Sequence, residues 1–462
     1  MPSRQDQLHS YQFMIQRVVA ALVMRETDPA QSPFRRAMGA TVASVLIAAI
    51  VLAGTAAWAF LRGSSAKNWK NGARSAVVLE KETGASYVLR NGVLHPVLNF
   101  TSGVLITGSA KPVTVSARAL EGEPRGATLG VVDLPASLPA RNRLTAGPWT
   151  VCSATGTDTT STLTVGAGPV GGAELRDRAA LVEGAGGANW LLWQGRRYRI
   201  TAEALLKQLG GGTIQPVRVA EALLKPIEEG DRIAPVRPAG YGEVSTRTGL
   251  RIGTVVTAGP TLWGVVVAEG VAPVTTLQRT LALSDPGYRA AAGADREIAI
   301  ELGQWNDWAE SPWTPSRPTA APATLPDLAR VDGAACATYD PAQDDPARRL
   351  TLHTGSALPD VQRRTRTPGT GPAGTVLADY VLVRPGWGAL VQAAPAPGAT
   401  GGTVLLVTDP GRQFALADPA DVKKRLGYAT VTPVAVPSGF TGLIPAGAGL
   451  DPAAADKAVT AP

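Results

Sequence analysis

One apolar run constrains this chain more than any other feature. Residues 39–61 read GATVASVLIAAIVLAGTAAWAFL, 23 residues without a charged side chain. Roughly 20 apolar residues in a helix cross the hydrocarbon core of a bilayer. Within that core a lone segment can satisfy its own backbone hydrogen bonds only as a helix. The run is therefore expected to span a membrane once, with 38 residues before it and roughly 400 after it. A cleaved signal sequence fits less well. Its apolar region is usually about 7–15 residues long and close to the first Met, and here Trp58, Phe60 and Leu61 continue the stretch past Ala57 and Ala59. Arg35 and Arg36 on one side, and Arg62, Lys67 and Lys70 on the other, bracket the run as interfacial charges do. Orientation does not follow from charge: residues 24–38 carry three Lys or Arg and residues 62–76 carry four.

Length suggests about three domains. Aromatic residues are scarce, at 5%, while Gly (51) and Pro (37) are abundant, which favours short strands and turns over long soluble helices. The net charge of +7 is mild for 462 residues and forms no long basic run, so a nucleic-acid partner is not expected. The two cysteines, Cys152 and Cys336, lie in the large C-terminal part. They are either one disulfide in an oxidising compartment or two unrelated buried thiols. If bonded, they close a loop of 184 residues and place the large part outside the cytoplasm.

Residues 5–25 read as an amphipathic helix, with Leu8, Tyr11, Ile15, Val18 or Val19, and Leu22 at three- and four-residue steps. Such a helix lies on a membrane or docks on a partner, and its Gln-rich polar face favours docking. Residues 64–85 read as a linker rising into strand-like sequence. Beyond it, four segments share one pattern of strand, Gly-bearing turn, strand and helix: residues 87–100, 190–210, 263–283 and 404–428. Their turns are Asn91-Gly92, Gln194-Gly195, Glu269-Gly270 and Pro410-Gly411, of which Asn-Gly is the strongest hairpin signal. Gly92, Gly195 and Gly411 lie five residues before Val97, Ile200 and Leu416, and Gly270 lies four before Val274. The turn glycines are 103, 75 and 141 residues apart, too uneven for a regular solenoid. The longer first and last gaps each hold one cysteine and are expected to form a central domain.

The expected class is thus α+β, with ββα-like units and a central domain. The divisions are 1–38 N-terminal helix, 39–61 transmembrane helix, 62–111 linker and first unit, and 112–185 first part of the central domain. There follow 186–230 second unit, 231–284 third unit, 285–400 second part of the central domain, 401–448 fourth unit and 449–462 a disordered tail. Trp305, Trp308 and Trp313, in the Trp- and Pro-rich stretch 304–330, cap a core or rest on a membrane or partner, with core packing the default.

Catalytic and ligand-binding patterns are missing from the sequence. There is no G-x-x-x-x-G-K-[ST] loop, and the Gly clusters 184–187 and 210–212 lack the following Lys that a phosphate-binding loop needs. His9, His95 and His353 are far apart and have no short-spaced Cys or His ligand pairs, so neither a metal nor another cofactor is expected. No G-x-S-x-G elbow occurs. The adjacent carboxylates Glu228-Glu229 and Asp344-Asp345 read as surface.

Ordered motifs along the chain carry a resemblance. They are Ala21-Leu22-Val23, Pro33-Phe34-Arg35-Arg36, Tyr87-Val88-Leu89, Gly147-Pro148-Trp149-Thr150-Val151-Cys152 and Trp190-Leu191-Leu192-Trp193-Gln194-Gly195-Arg196-Arg197-Tyr198-Arg199-Ile200. Next come Glu269-Gly270-Val271-Ala272-Pro273-Val274, Ala335-Cys336, Gly386-Trp387-Gly388-Ala389-Leu390-Val391 and Val407-Thr408-Asp409. Leu426-Gly427-Tyr428 and Leu450-Asp451-Pro452-Ala453-Ala454-Ala455 close the series. In this order, over about 440 residues, the chain resembles EccB, the single-span subunit of the type VII (ESX) secretion membrane complex of actinobacteria.

The resemblance implies a cytoplasmic N-terminal helix, a plasma-membrane span, and an extracytoplasmic part of four repeats around a central β domain closed by one disulfide, Cys152 to Cys336. It implies partners: an EccC-type motor ATPase, the EccD and EccE membrane subunits, and further copies of itself in a ring-like assembly that exports small helical WxG-type proteins. Some members of the family carry an ATPase label, for which the residues here supply no physical support. Residues 130–135 (GVVDLP) depart from the family by lacking a Gly-Ala-Pro-Asp run. Two other readings compete with a structural subunit: an anchored peptidoglycan-binding module, and a nucleotide hydrolase.

Overall fold

Short apolar strands closed by tight turns build five sheets in this protein. The computed structural model describes residues 3–24, 33–65, 69–201, 206, 214–308, 321–396, 398–399 and 401–459. The class is α+β.

Two long helices come first. Helix α1, Arg4–Met24, begins in a reciprocal cap: the Ser3 hydroxyl donates to Asp6 Oδ2 at 2.9 Å, and Asp6 N donates to Ser3 Oγ at 3.4 Å. Helix α2, Pro33–Ser65, starts with Pro at a position where its missing N–H is harmless. Its stretch Met38–Trp58 has a mean hydropathy of 2.2, is long and apolar enough to cross a membrane, and is 0% buried within the protein. Its hydroxyls are quenched internally. Thr41, Ser44 and Thr55 donate to the carbonyls of Met38, Ala40 and Leu52 at 2.9, 2.8 and 3.0 Å, so these three hydroxyls do not face hydrocarbon unpaired.

Four of the sheets are built around a hairpin. In the first, Ser86–Arg90 and Val93–Pro96 pair across Asn91-Gly92, whose φ angles of 48° and 80° are both in the left-handed region a two-residue turn requires. Helix Phe100–Thr107 follows, capped by Asn99 and ended by Gly108. In the second sheet Asn189–Trp193 pairs with Arg196–Ile200, and in the fourth Val404–Thr408 pairs with Arg412–Ala415. The third pairs Trp263–Val267 with Gly270–Pro273, so its turn is Ala268-Glu269 and Gly270 already belongs to the strand. Its helix, Thr276–Ser284, opens with a full capping box between Thr275 and Gln278. The helix expected after Ile200 lies outside the described residues except for Leu206.

Each of these sheets has two further strands. Val78–Glu80, Ala179–Glu183, Val255–Thr257 and Gly388–Ala394 precede their hairpins and pair antiparallel with them. Val113–Val115, Val217–Arg218, Ile298–Ala299 and Val434–Pro437 come later and lie parallel to those preceding strands. The strand order within the four is therefore the same, and the second sheet is extended by Glu228–Glu229 and Leu328–Ala329.

The fifth sheet has seven strands, in the order Thr365–Arg366, Tyr380–Val383, Ser161–Val165, Trp149–Ser153, Ala334–Tyr339, Leu350–Ala357 and Val170–Glu174. Its three middle strands are buried along their whole length.

These pairings divide the chain differently from the expectation. The central segments drawn as 112–185 and 285–400 give up Val113–Val115, Ala179–Glu183, Ile298–Ala299 and Gly388–Ala394 to the hairpin sheets. Val113–Val115 and Ile298–Ala299 join by a parallel crossover, which turn chemistry does not announce, and Ala179–Glu183 and Gly388–Ala394 pair antiparallel with the hairpins that follow them. The stretch 64–85 is also more than a linker, because Trp69, Ala73, Val77 and Val78 are buried. The disordered tail expected at 449–462 is ordered through Val459: Leu450 and Ala455 are fully buried, and Asp451 caps a short helix, Pro452–Ala455. Apolar burial of Leu450 outweighs a composition that reads as flexible.

Shared cores join the sheets in a row. One core holds Val104 and Leu105 after the first hairpin together with Leu406, Phe414 and Leu450 of the fourth. The largest unites the central sheet with Leu192 and Leu223 on one side and Leu405, Val407 and Phe440 on the other. A third packs Leu191 and Tyr198 of the second sheet against Leu277 and Leu281 of the third. The spatial order is first, fourth, central, second, third.

Candidate assembly sites

In the central sheet, Trp149–Ser153 and Ala334–Tyr339 run antiparallel, and their register sets Cys152 opposite Cys336. The two form a disulfide with Cα atoms 4.0 Å apart, closing 184 residues. Strand alternation explains their surroundings. Trp149 and Val151 point into the large core, while Cys152 points the other way, beside Thr150, whose hydroxyl lies 3.1 Å from that of Thr338. At 4% and 1% exposure, packed with Ala334 and Leu358, the bond is shielded from solvent reductants.

The sheets meet through specific polar contacts as well as shared cores. Between the first and fourth, Arg412 grips both carboxylate oxygens of Asp133 (Nη2 to Oδ2, 2.6 Å) and donates to the Ala446 carbonyl at 3.0 Å. Arg425 reaches the Leu105 carbonyl at 2.8 Å, and Arg90 pairs with Asp456 at 2.8 Å. Asp133 lies in the 130–135 loop, where the resemblance implies a Gly-Ala-Pro-Asp run. That loop is pinned from behind, since Val131 N donates to Ser102 Oγ at 3.1 Å and Thr101 donates to the Pro135 carbonyl at 2.5 Å.

Between the second sheet's crossover and the fourth, Lys225 donates to the carbonyls of Val376 and Gly442, each at 2.9 Å. Burial pushes its ammonium below the ordinary lysine pKa. Pro226 presses on Gly439 so closely that a Cβ there would lie 2.6 Å from the Pro226 Cα. Neither the Arg412–Asp133 pair nor Lys225 carries a sequence signal, because each depends on residues far apart in the chain.

The remaining candidates take structural places. Glu228 and Glu229 stand across from Arg196 and Arg197 on neighbouring parallel strands and pair with them at 2.9 and 3.5 Å. Asp345 accepts from Ala347 N at 3.0 Å. His95 Nδ1 lies 2.9 Å from the Ala127 carbonyl. His353 Nε2 lies 3.0 Å from the Thr351 hydroxyl, and burial lowers its pKa against an opposing pull from Glu174. Among the described residues no cluster of His, Cys, Asp and Glu could hold a metal ion. Trp305 is buried against Val256, Val266 and Val271, and Trp308 packs on the same group. Trp313 lies outside the described residues.

Among the described residues, two helices leave large apolar surfaces uncovered. One is the 38–58 stretch of α2. The other is α1, where Leu8, Tyr11, Met14, Ile15, Val18 and Leu22 are all exposed. A cluster this large on one helix marks a contact with lipid or with another protein.

Comparison with known proteins agrees with this architecture. Residues 1–461 match the family model described as type VII secretion system ESX-1, transport TM domain B. A protein named ESX-3 secretion system ATPase EccB3, from Mycolicibacterium smegmatis, is 28% identical over 93% of this chain and 86% of its own length. ESX-5 secretion system ATPase EccB5 of Mycobacterium tuberculosis is 27% identical over 96% of this chain and 91% of its own. A chain of an intact ESX-5 inner membrane complex shares the fold, with a TM-score of 0.63 at 24% identity over 100% of this chain and 96% of that one. A chain from an EccB3 dimer of the ESX-3 core complex gives a TM-score of 0.58 at 25% identity, over 83% of this chain and all of the other. An apolar helix open on every side, a disulfide-closed β core and a family match from residue 1 to residue 461 lead to one conclusion: the chain belongs to the EccB family, the transmembrane B subunits of type VII secretion systems.

Proposed function

We propose that this protein is a single-span scaffold of a type VII secretion membrane complex, with α1 in the cytoplasm and the five sheets outside it. The observation that carries the reading is the likeness along the whole chain to subunits of ESX inner membrane complexes. The Cys152–Cys336 bond supports the orientation, because such bonds persist in oxidising compartments. In this reading the four hairpin sheets are copies of one unit, which their common strand order supports, with two on each side of the central sheet. The scaffold associates with further copies of itself in a ring-like assembly. Its α1 face and span meet a motor ATPase of the EccC type and the EccD and EccE subunits. The energy for exporting small helical WxG-type proteins comes from that motor, since this sequence has no phosphate-binding loop.

The test is a gentle-detergent pull-down of the tagged full-length protein, with native mass and partner identification. A large assembly containing a motor ATPase and multi-span subunits is expected. A monomer, under conditions that keep other membrane complexes intact, would overturn the proposal. The curated relatives are named ATPases. Hydrolysis that co-purifies with this chain alone and disappears on a point substitution would establish that second reading instead.

A further inference from the structure

The junction of the second sheet's crossover, the central sheet and the fourth sheet borders a solvent-open cavity of about 660 Å³. Lys225 stands in its wall and Arg366 and Arg412 also line it, while no Asp or Glu does. Arg412 has its carboxylate in Asp133. The other two cations have none: Lys225 meets only the two neutral carbonyls of Val376 and Gly442, and Arg366 makes no ion pair among the described residues. An ammonium carries three donors, so one N–H of Lys225 is left over.

Lys225 is half-buried and Arg366 is exposed, so Lys225 alone gives up part of its hydration, and a partly desolvated cation is ordinarily paired. Burial holds the Lys225 pKa below the ordinary lysine value, the direction that partial desolvation gives. A structural counter-ion is absent from the cavity's own lining, so an exogenous anion is the physical complement. Two cations without a carboxylate partner, one a planar guanidinium suited to forked recognition, match a phosphate better than a monovalent halide. The cavity is far larger than one phosphate, and Pro368, Leu377, Pro410 and Ile444 give it apolar walls, a combination typical of sites for small organic molecules.

We propose that this cavity binds the phosphate group of an organic phosphate, with Lys225 in the wall and Arg366 at the rim as its charged donors. Occupancy neutralises Lys225 and tightens the junction it spans. Two sources share this chemistry: a free small phosphate ester and a phosphodiester of an envelope polymer.

The experiment is calorimetric titration of the full-length protein in detergent, together with its thermal midpoint. The probes are glycerol phosphate, inorganic phosphate and poly(glycerol phosphate), with chloride matched for ionic strength. Saturable binding at one site is expected, with a raised midpoint that chloride does not reproduce. Removing Lys225 also breaks two hydrogen bonds of the fold, so the exposed Arg366 carries the decisive variant. Arg366→Gln should leave the midpoint of the free protein unchanged and weaken glycerol phosphate about tenfold, the scale of one charge-assisted hydrogen bond. Binding unchanged in Arg366→Gln, or midpoint shifts that chloride reproduces, would overturn the proposal. Tighter binding of the polymer than of the monomer identifies an envelope polymer as the source, and the reverse identifies a free ester.

Discussion

Cys152 and Cys336 show how much a single pair position can do. Because they face each other across two neighbouring central strands, their bond ties together segments that the chain visits 184 residues apart. Replacing both by Ser is expected to cost roughly 2–5 kcal/mol, chiefly through the freedom returned to the unfolded chain. A thermal midpoint equal to that of the unmodified protein would refute a stabilising role. Tyr428 is fully enclosed, its hydroxyl donates to the Pro139 carbonyl at 2.6 Å, and burial raises its pKa. Tyr428→Phe should cost about 1–3 kcal/mol, because it leaves that carbonyl without its partner, and urea denaturation measures it. His353 has a pKa held below 6.5 by burial, so the unfolded chain takes up the proton first. Its contribution is constant above about pH 6.5, and stability falls as pH drops through that value toward the lower folded pKa. His353→Gln should flatten this acid limb between the two pKa values, which denaturation at a series of pH values would reveal.

At the scale of elements, turn chemistry and apolar periodicity were readable, and strand addition was not. Asn91-Gly92 marks a real hairpin because both residues must adopt positive φ and these two residue types do so cheaply. The Glu269-Gly270 reading was one residue out, since Gly270 lies in the strand, against the carbonyl of Trp308, where any Cβ would collide. Strands as short as Val217–Arg218 and Ile298–Ala299 hold too few residues for a period-two pattern to show. The start of the last helix was legible after all: Asp451-Pro452 is a cap followed by Pro at the first helical position. Helix α2 permits a direct test. Leu46→Arg puts a charge near the middle of the apolar stretch and should cost about 2.5–3.5 kcal/mol of membrane insertion. The fraction of protein recovered with membranes, after carbonate washing, should drop sharply.

Across the whole molecule, each sheet shares a core with a neighbour, so the first and fourth sheets, which open and close the folded region, end up side by side. The Arg412–Asp133 contact reinforces that closure from the surface. Its side chains are 34% and 47% exposed, so Arg412→Ala should cost only about 0.2–1 kcal/mol for the ion pair itself. A larger loss in the thermal midpoint would mean that the closure of first on fourth depends on it. The exposed α1 face, by contrast, contributes no residue to the shared cores of the sheets. Ile15→Asp should therefore leave the melting of the folded region unchanged while reducing partner recovery in the pull-down.

The sequence by itself determined the span, the hairpins and the family, because each of these rests on residues that are neighbours in the chain or on motifs kept in order. Only the tertiary structure decided which strand closes each sheet, that the cysteines are partners, that the tail is packed, and that Lys225 stands beside a cavity without a carboxylate. Those outcomes depend on which distant segments compete for the same buried surface. That competition is settled by packing and register, which no local stretch of sequence encodes.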